Sequence, residues 1–437
     1  MEWVGEPSDE NELISRLPEN VIHNILMLLP IKDAARTALL SSTWRRHWRS
    51  IPQLVFDDGF APTEPNDKLV PNIYKSLLAR DGPVIKFVLA VPGLNPCHEI
   101  DHIIVHLSGI GVLQHFTLVL SSKDSHSHSW YRLPSSLFAA PRLNYLKLER
   151  CLFVVPPWFV GFGQLKKLRL IRVNVPSDFC ENFLPKCPLL ASMLIVSCTG
   201  LEKLELDAPR LKLFNFEGEM QKLCFKRTPC LSVLRLSVYG GLQNPDLAAL
   251  LASLRVLERF VVASESLEVF GKGGHVSTRL PSPHCRLKTL CIYLNVITSL
   301  GERILVFLIS SAPNLHKLVI QVACMVSRRN QLAYNLATSI GTLLEAAHRR
   351  GPCLQHLRVF AIEDGLGAPL ELELVRFILA TAPNLLRVEI KPSFLLCSRK
   401  VFEFMKEVMR YKRISKEAQV LYDYSEENHS HLCSCCL

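Results

Sequence analysis

The sequence predicts an α/β protein: a small amino-terminal bundle of three helices, then a curved solenoid of short repeats that ends in a helix–strand region. Three observations predict it. Apolar residues at helical spacings, bounded by Pro18 and Pro30, open the chain near residue 17. A phrase of the form L-x-x-L-x-L recurs about ten times from Leu143 onward. Near the end, ERILVFLISSAPNLHKLVI (302–320) and ELVRFILATAPNLLRVEI (373–390) each read as an amphipathic helix, a proline turn and a strand.

In the first segment Pro18 suits the start of a helix, where a missing N–H costs nothing. Val21, Ile22, Ile25, Leu26, Leu28 and Leu29 follow at helical spacings, and Pro30 stops the run. Asp33 is expected to begin a second short helix through Leu40. Ser41 or Ser42 is placed to cap a third, which sets Trp44 and Trp48 one turn apart on one face. About thirty residues cannot hide this much apolar surface among themselves. Their physics leaves two readings open: a cap for the first repeat, or a docking module for another chain, since tryptophan, arginine and leucine commonly anchor interfaces. A membrane-surface role fits poorly because the helices are short and broken.

The repeats follow. APRLNYLKL (140–148), CPLLASMLI (187–195), APRLKLFNF (208–216), TPCLSVLRL (228–236), APNLHKLVI (312–320), GPCLQHLRV (351–359) and APNLLRVEI (382–390) share a proline turn before the motif, and GQLKKLRL, TGLEKLEL and RLKTLCI lack the proline. The alternating core points one face of a short strand inward, and stacked units bury a continuous core that no single unit has. LNYLKLERCLF and LKTLCIYLNVI extend to L-x-x-L-x-L-x-x-(N/C)-x-L, the leucine-rich-repeat signature. Cys151 and Cys198 fall at the N/C position and are expected to point inward as structural thiols. Between 57 and 128 only IKFVLAVPG and LQHFTLVLSS look like strands.

Leu13 to Leu54 resembles an F-box, through Leu17-Pro18, Ile25-Leu26, Leu29-Pro30, Lys32-Asp33, Ala35-Arg36-Thr37, Leu40-Ser41 and Trp44-Arg45. It departs from the pattern at Ser42-Thr43, where many plant relatives carry a basic pair. The resemblance implies binding to a Skp-type adaptor and, through it, to the cullin and RING subunits of an SCF ubiquitin ligase. Carried onto this chain, it implies contacts from Leu17, Pro18, Ile22, Ile25, Leu26, Leu29 and Pro30, with Leu39, Leu40, Trp44 and Trp48 shared between core and interface. From about residue 351 to 424, CLQHLRVFAIED, ELELVRFILATAPNLLRVEI and the basic helix SRKVFEFMKEVMRYKR resemble the FBD region of plant F-box proteins. The implied organisation is an F-box at 8–54, divergent early repeats at 55–130, leucine-rich repeats at 131–350, an FBD-like region at 351–424 and a Cys/His-containing tail at 425–437.

The implied function is substrate recognition: the F-box docks the adaptor and the repeats hold an unidentified target protein for ubiquitination. The alternative is a non-catalytic scaffold, or an adaptor-binding protein acting outside a ligase. Outward strand positions Lys147, Lys167, Arg169, Lys203, Arg235 and Arg358 form a partly basic stripe, which suits either an acidic target or a plain solvated face.

Composition narrows the remaining classes. The chain has 437 residues, 49% apolar and 21% charged, ordinary for a globular protein. No run of eighteen apolar residues occurs, so no membrane span is expected. Fifteen cysteines without a secretory signal point to reduced thiols in the nucleus or cytoplasm. A net charge of +10 is modest for this length and does not point to nucleic acid. GKGGH (271–275) lacks phosphate-loop spacing, and His126 and His128 lie in a Ser/His-rich loop. The terminal HSHLCSCCL has no paired C-x-x-C half for zinc, and Ser434 occupies the position where prenylation needs cysteine. No catalytic set, metal or cofactor is expected.

Overall fold

A computed structural model describes residues 17–59, 66–121, 130–243, 245–272, 280, 284–294, 299–322, 340–351, 354–365, 367–393 and 398–422. The chain forms two compact units, 1–201 and 202–437. The boundary between them falls inside the repeats.

The first unit begins with α1 (Glu19–Leu28), α2 (Ile31–Arg36) and α3 (Ser42–Ser50). Pro18 and Pro30 are the N-caps of α1 and α2, so each proline begins a helix. The second helix differs from the expected Asp33–Leu40 span. It runs as α-helix only to Arg36 and tightens into a 3-10 turn over Thr37–Leu39, with the Thr37 hydroxyl donating to the Ala34 carbonyl at 2.6 Å. Ser41 caps α3, its hydroxyl accepting from the Trp44 N–H at 3.2 Å.

Next come β1 (Gln53–Phe56), α4 (Asn66–Leu78), β2 (Lys86–Leu89), α5 (His98–Gly109), β3 (His115–Val119), β4 (Tyr131–Arg132), β5 (Tyr145–Glu149), β6 (Cys151–Leu152), β7 (Lys167–Ile171), α6 (Phe179–Asn182) and β8 (Ser192–Val196). Strands β1-β2-β3-β5-β7-β8 pair in that order, all parallel. IKFVLAVPG and LQHFTLVLSS supply β2 and β3, so the repeat sheet starts far earlier than Leu143. In this sheet each strand after β1 starts from the same device: the carbonyl at one strand entrance accepts two consecutive N–H groups from the next. Thus Asn144 and Tyr145 donate to Gln114, and Lys166 and Lys167 to Asn144. Behind the sheet Phe138, Phe153, Phe159, Phe162, Phe179 and Phe183 are buried and touch in a chain of stacked and edge-on rings, binding successive repeats through aromatic packing.

The second unit contains β9 (Lys203–Asp207), β10 (Leu213–Gly218), β11 (Lys222–Arg227), β12 (Val233–Val238), α7 (Leu247–Ser253), β13 (Arg259–Ala263), α8 (Ser264–Gly271), β14 (Thr289–Leu294), α9 (Ser299–Ser311), β15 (Lys317–Val322), α10 (Ile340–Arg350), β16 (Val359–Gly365), α11 (Pro369–Thr381), β17 (Arg387–Pro392), α12 (Ser398–Arg410) and β18 (Gln419–Tyr422). Strands β10, β12 and then β13 to β18 pair in parallel, in chain order. β9 and β11 pair with each other in a separate two-stranded sheet. The leading leucine of each motif is buried, as at Leu211, Leu231, Leu287, Leu315 and Leu385.

Two expectations change here. In GPCLQHLRV the pattern puts Leu354 in the lead, but the strand begins at Val359 and buries Phe360 and Ile362. The working motif is therefore Leu357-x-x-Phe360-x-Ile362, three residues later. Helix α9 is not amphipathic in its packing: Ile304 to Ala312 are all buried, because it is packed between α8 and α10.

Candidate functional site

The three-helix bundle sorts the eleven residues implied as adaptor contacts by period and capping. Ile22 and Leu26, one turn apart on α1, are 1% exposed, and Trp44 is 4% exposed. Ile22 and Leu26, expected at the contact, therefore lie in the bundle core, and Trp44, expected to be shared between core and interface, takes the core part. Leu17, Ile25 and Trp48 are partly buried, while Pro18, Leu29 and Pro30 are exposed. Leu39 and Leu40 stand 82% and 70% exposed, on the 3-10 turn and just after it. Sequence reasoning missed Leu28, the most open of the bundle's leucines at 86%. It lies about 200° around the helix from Leu26 at 3.6 residues per turn, a signal that treating α1 as a single apolar run concealed. Leu28, Leu39 and Leu40 would each contribute roughly 1.5–3 kcal/mol if a partner covered them fully.

The bundle is also fastened to the first repeat. The Arg49 Nε donates to the Ala79 carbonyl at 2.6 Å, and its guanidinium pairs with Asp81 at 3.2 Å. The N–H groups of Asp81 and Gly82 in turn donate to the Arg49 carbonyl. Arg80 reaches back to the carbonyls of Trp48 and Ile51 at the C-terminus of α3, where the helix dipole favours a cation. Burial draws its pKa down to about 10, so it stays charged at neutral pH. Beside this seam Trp48, Leu54, Phe56, Ile73 and Arg80 line a largely apolar cavity of about 420 Å³.

Among the described residues one group, Glu19, His23 and His47, brings metal-type ligand atoms within 4.8 Å of one another. Glu19 Oε1 stands 4.0 Å from His23 Nε2 and 3.9 Å from His47 Nδ1, distances wider than a shared ion would set. The two imidazoles pack edge-on, and His23 Nε2 already bonds the Ser50 hydroxyl at 3.0 Å. Burial, then the neighbouring His23, lowers the His47 pKa. The group reads as a helix-to-helix contact.

The proposed basic stripe divides. Lys147, Lys167 and Arg169 lie on β5 and β7, with their side chains on the sheet's outward face. Lys203 does not share that kind of surface, because β9 belongs to the two-stranded sheet. Arg235 occupies the outward middle position of β12, but its register neighbours are Asn215 and Val261. Arg358 precedes β16, a consequence of the three-residue motif shift, and lines a cavity of about 530 Å³ with His356, Ser415 and Glu417. In the second unit the row expected to carry charge is apolar and enclosed: Val261, Cys291, Val319 and Ala361 are at most 7% exposed. The signal was present in RFVVA, TLCIYL, KLVIQV and VFAIED, whose central outward residues are small and apolar.

The cysteines behave as the repeat reading expects. Cys151 Sγ donates to the Glu149 carbonyl at 3.3 Å, and Cys198 Sγ lies 3.5 Å from the Leu170 and Val196 carbonyls. Burial raises all these thiols, Cys187 to about 12 and Cys198 to about 11, far from the reactive range. No helix among the described residues is long and apolar enough to cross a membrane. The terminal Cys/His tail, most of GKGGH, and His126 and His128 lie outside the described residues.

Comparison with known proteins places names beside this geometry. The F-box domain family matches residues 14–55. The LRR repeats of the FBD-associated F-box protein At5g56370 match 112–245, and the LRR domain of At1g61320/AtMIF1 matches 189–420. The chain is 30% identical to the Arabidopsis thaliana F-box/FBD/LRR-repeat protein At1g13570, over 96% of this chain and 99% of that protein. Also from Arabidopsis thaliana, the F-box/FBD/LRR-repeat protein At2g04230 is 27% identical over 62% of this chain and 68% of its own length. The putative FBD-associated F-box protein At5g56560 is 23% identical over 94% and 99%.

Proposed function

This chain belongs to the F-box/FBD/LRR-repeat proteins, and from that premise we propose that it is the substrate-recognition subunit of an SCF-type ubiquitin ligase. Its F-box would dock a Skp-type adaptor, and through it cullin and RING subunits, while the repeats hold a target protein. The chain supplies no catalytic group in this reading. Its contribution is proximity, which raises the effective concentration of a target lysine near the conjugating enzyme. The reduced thiols suit action in the nucleus or cytoplasm.

The observation that carries the reading is the exposure of Leu28, Leu39 and Leu40 on a bundle that already buries Ile22, Leu26, Ala34 and Trp44. Apolar surface of this kind on a folded module marks a partner site. Leu39→Asp/Leu40→Asp is expected to abolish co-purification with a Skp-type adaptor while leaving the melting temperature within a degree or two. Trp44→Ala is expected to cost about 3–5 kcal/mol of stability instead. Adaptor binding that survives the double substitution would move the docking surface elsewhere.

A second reading has its own support. The hydrogen bonds across the seam from α3 to the turn after α4 support a bundle that caps the repeats, as solenoid ends require, and an adaptor-binding scaffold outside a ligase is the alternative. Reconstitution with adaptor and cullin separates the two: a complex that never recruits cullin favours the scaffold.

A further inference from the structure

We propose that the outward face of β3, β5 and β7 docks an acidic, Asp/Glu-rich segment of a target polypeptide, held by Lys147, Lys167 and Arg169 with Lys86 at its flank. This rests on the substrate-receptor reading and narrows its target class. The sheet register sets Lys147 directly opposite Arg169, and Tyr145 opposite Lys167. Lys86 stands opposite His115, and His115 opposite Tyr145. Strands lie about 4.8 Å apart and same-face residues along one strand about 7 Å apart. The roots of Lys147, Lys167 and Arg169 therefore make a compact triangle of like charge.

Like charges directly opposite in a sheet work against folding, and where this chain sets Lys222 opposite Lys203 in the two-stranded sheet, a carboxylate stands beside Lys222. On the two-stranded sheet Lys222 meets Glu205 at 2.7 Å and Arg227 meets Asp207 at 2.6 Å. On the β3–β5–β7 face no such partner appears: among the described residues none of Lys86, Lys147, Lys167 and Arg169 forms an ion pair. Glu149, the carboxylate at the far end of β5, pairs with Arg172 at 3.6 Å. A like-charge cluster kept without counter-charge inside the fold is complementary to an anion from outside.

The neighbouring rings favour a peptide over nucleic acid. His115 and Tyr145 stack face to face at 4.0 Å, and the flanking strands place Lys86 and Lys167 on their outer sides. Each ring thus has one face taken by the other and a cation registered beside it, whereas a nucleobase needs an open aromatic face. The cations stand on separate stems across several strands, with one guanidinium among three ammonium groups. That spacing suits several single carboxylates along an extended segment better than one phosphate held bidentately.

The test is fluorescence anisotropy of the full chain with a labelled peptide of alternating glutamate and serine. Comparison probes are the glutamine-for-glutamate version, a peptide with a single phosphoserine, and a uridine oligonucleotide. The glutamate peptide is expected to bind, and Lys147→Glu/Arg169→Glu to weaken it at least tenfold. Lys406→Glu, at an exposed position of α12, is expected to change nothing, and melting curves confirm that each variant folds. Equal binding of the glutamine peptide, unchanged affinity after charge reversal, or tighter binding of the phosphopeptide or the oligonucleotide would overturn the proposal. Adaptor co-purification is measured on the same samples. If the adaptor never binds, the receptor reading fails and the peptide result stands on its own; if the adaptor binds but the peptide does not, only this proposal fails.

Discussion

At the residue scale, the chain separates residues that shape the fold from residues that face outward, and single positions report which is which. Gly200 sits at φ +85°, where a Cβ would stand 2.1 Å from the Val175 carbonyl oxygen. Gly200→Ala combines left-handed strain with a backbone clash and is expected to destabilise the first unit by roughly 2–4 kcal/mol, read as a drop in urea midpoint. His115 gives a pH signature. Burial, with Lys86 and Lys167 beside it, lowers its pKa from 6.5 to about 4. Between those values the unfolded chain binds the proton and the folded chain does not, so stability falls as pH drops from 6.5 to 4 and levels off below. His115→Gln is expected to remove that part of the slope, seen as a difference between urea midpoints of the two proteins from pH 4 to 7. Neither effect was legible beforehand: a motif places a residue on a strand but does not say which carbonyl or lysine stands across from it.

At the scale of elements, most of the architecture was readable. Pro18 and Ser41 mark helix starts and Pro30 a helix stop through local chemistry that needs no tertiary information, although Pro30 also begins the second helix at Ile31, two residues before the expected Asp33. The alternating L-x-L core fixed which face of each strand is inward, and every copy except the one at 351–359 has the expected leading leucine. That copy misled because Leu354 and Leu357 both satisfy the pattern, and only burial of Phe360 and Ile362 chooses between them. Helix α9 misled for the opposite reason, since its neighbours on both sides are set by packing between repeats. The seam between α3 and α4 was invisible in the sequence because arginine bonding to carbonyls leaves no pattern. Arg80→Met keeps the stem but removes the charge–carbonyl bonds, and is expected to cost roughly 1.5–3 kcal/mol in the thermal or urea unfolding of the first unit. Adaptor affinity should be unchanged, because Leu39 and Leu40 are untouched.

At the scale of the whole molecule, repetition explains both what could be foreseen and what could not. Stacked units make the core nearly a sum of nearest-neighbour terms, so a motif seen about ten times predicts a continuous sheet in each unit. The outward faces carry no such redundancy. One reads as cations over β5 and β7, the other as small apolar residues over β13 to β16, and only the separate strand registers show that these are different surfaces. The six basic positions therefore could not be sorted from sequence: the alternation that predicts them treats all outward positions alike.

The seam at residues 80–82 bears on how such proteins are assembled over evolutionary time. A domain exchanged at residue 54 or 55, where the F-box match ends, would leave behind Arg80, Asp81 and Gly82. Arg80 and the Asp81 and Gly82 N–H groups complete the end of α3. Gly82 also lies so close to Ser50 that a Cβ there would meet its carbonyl oxygen at 2.7 Å. The heritable module is thus longer than the motif that identifies it. On these contacts, an F-box transplanted between relatives keeps the end of α3 intact only if the first strand, α4 and the turn after it come with it.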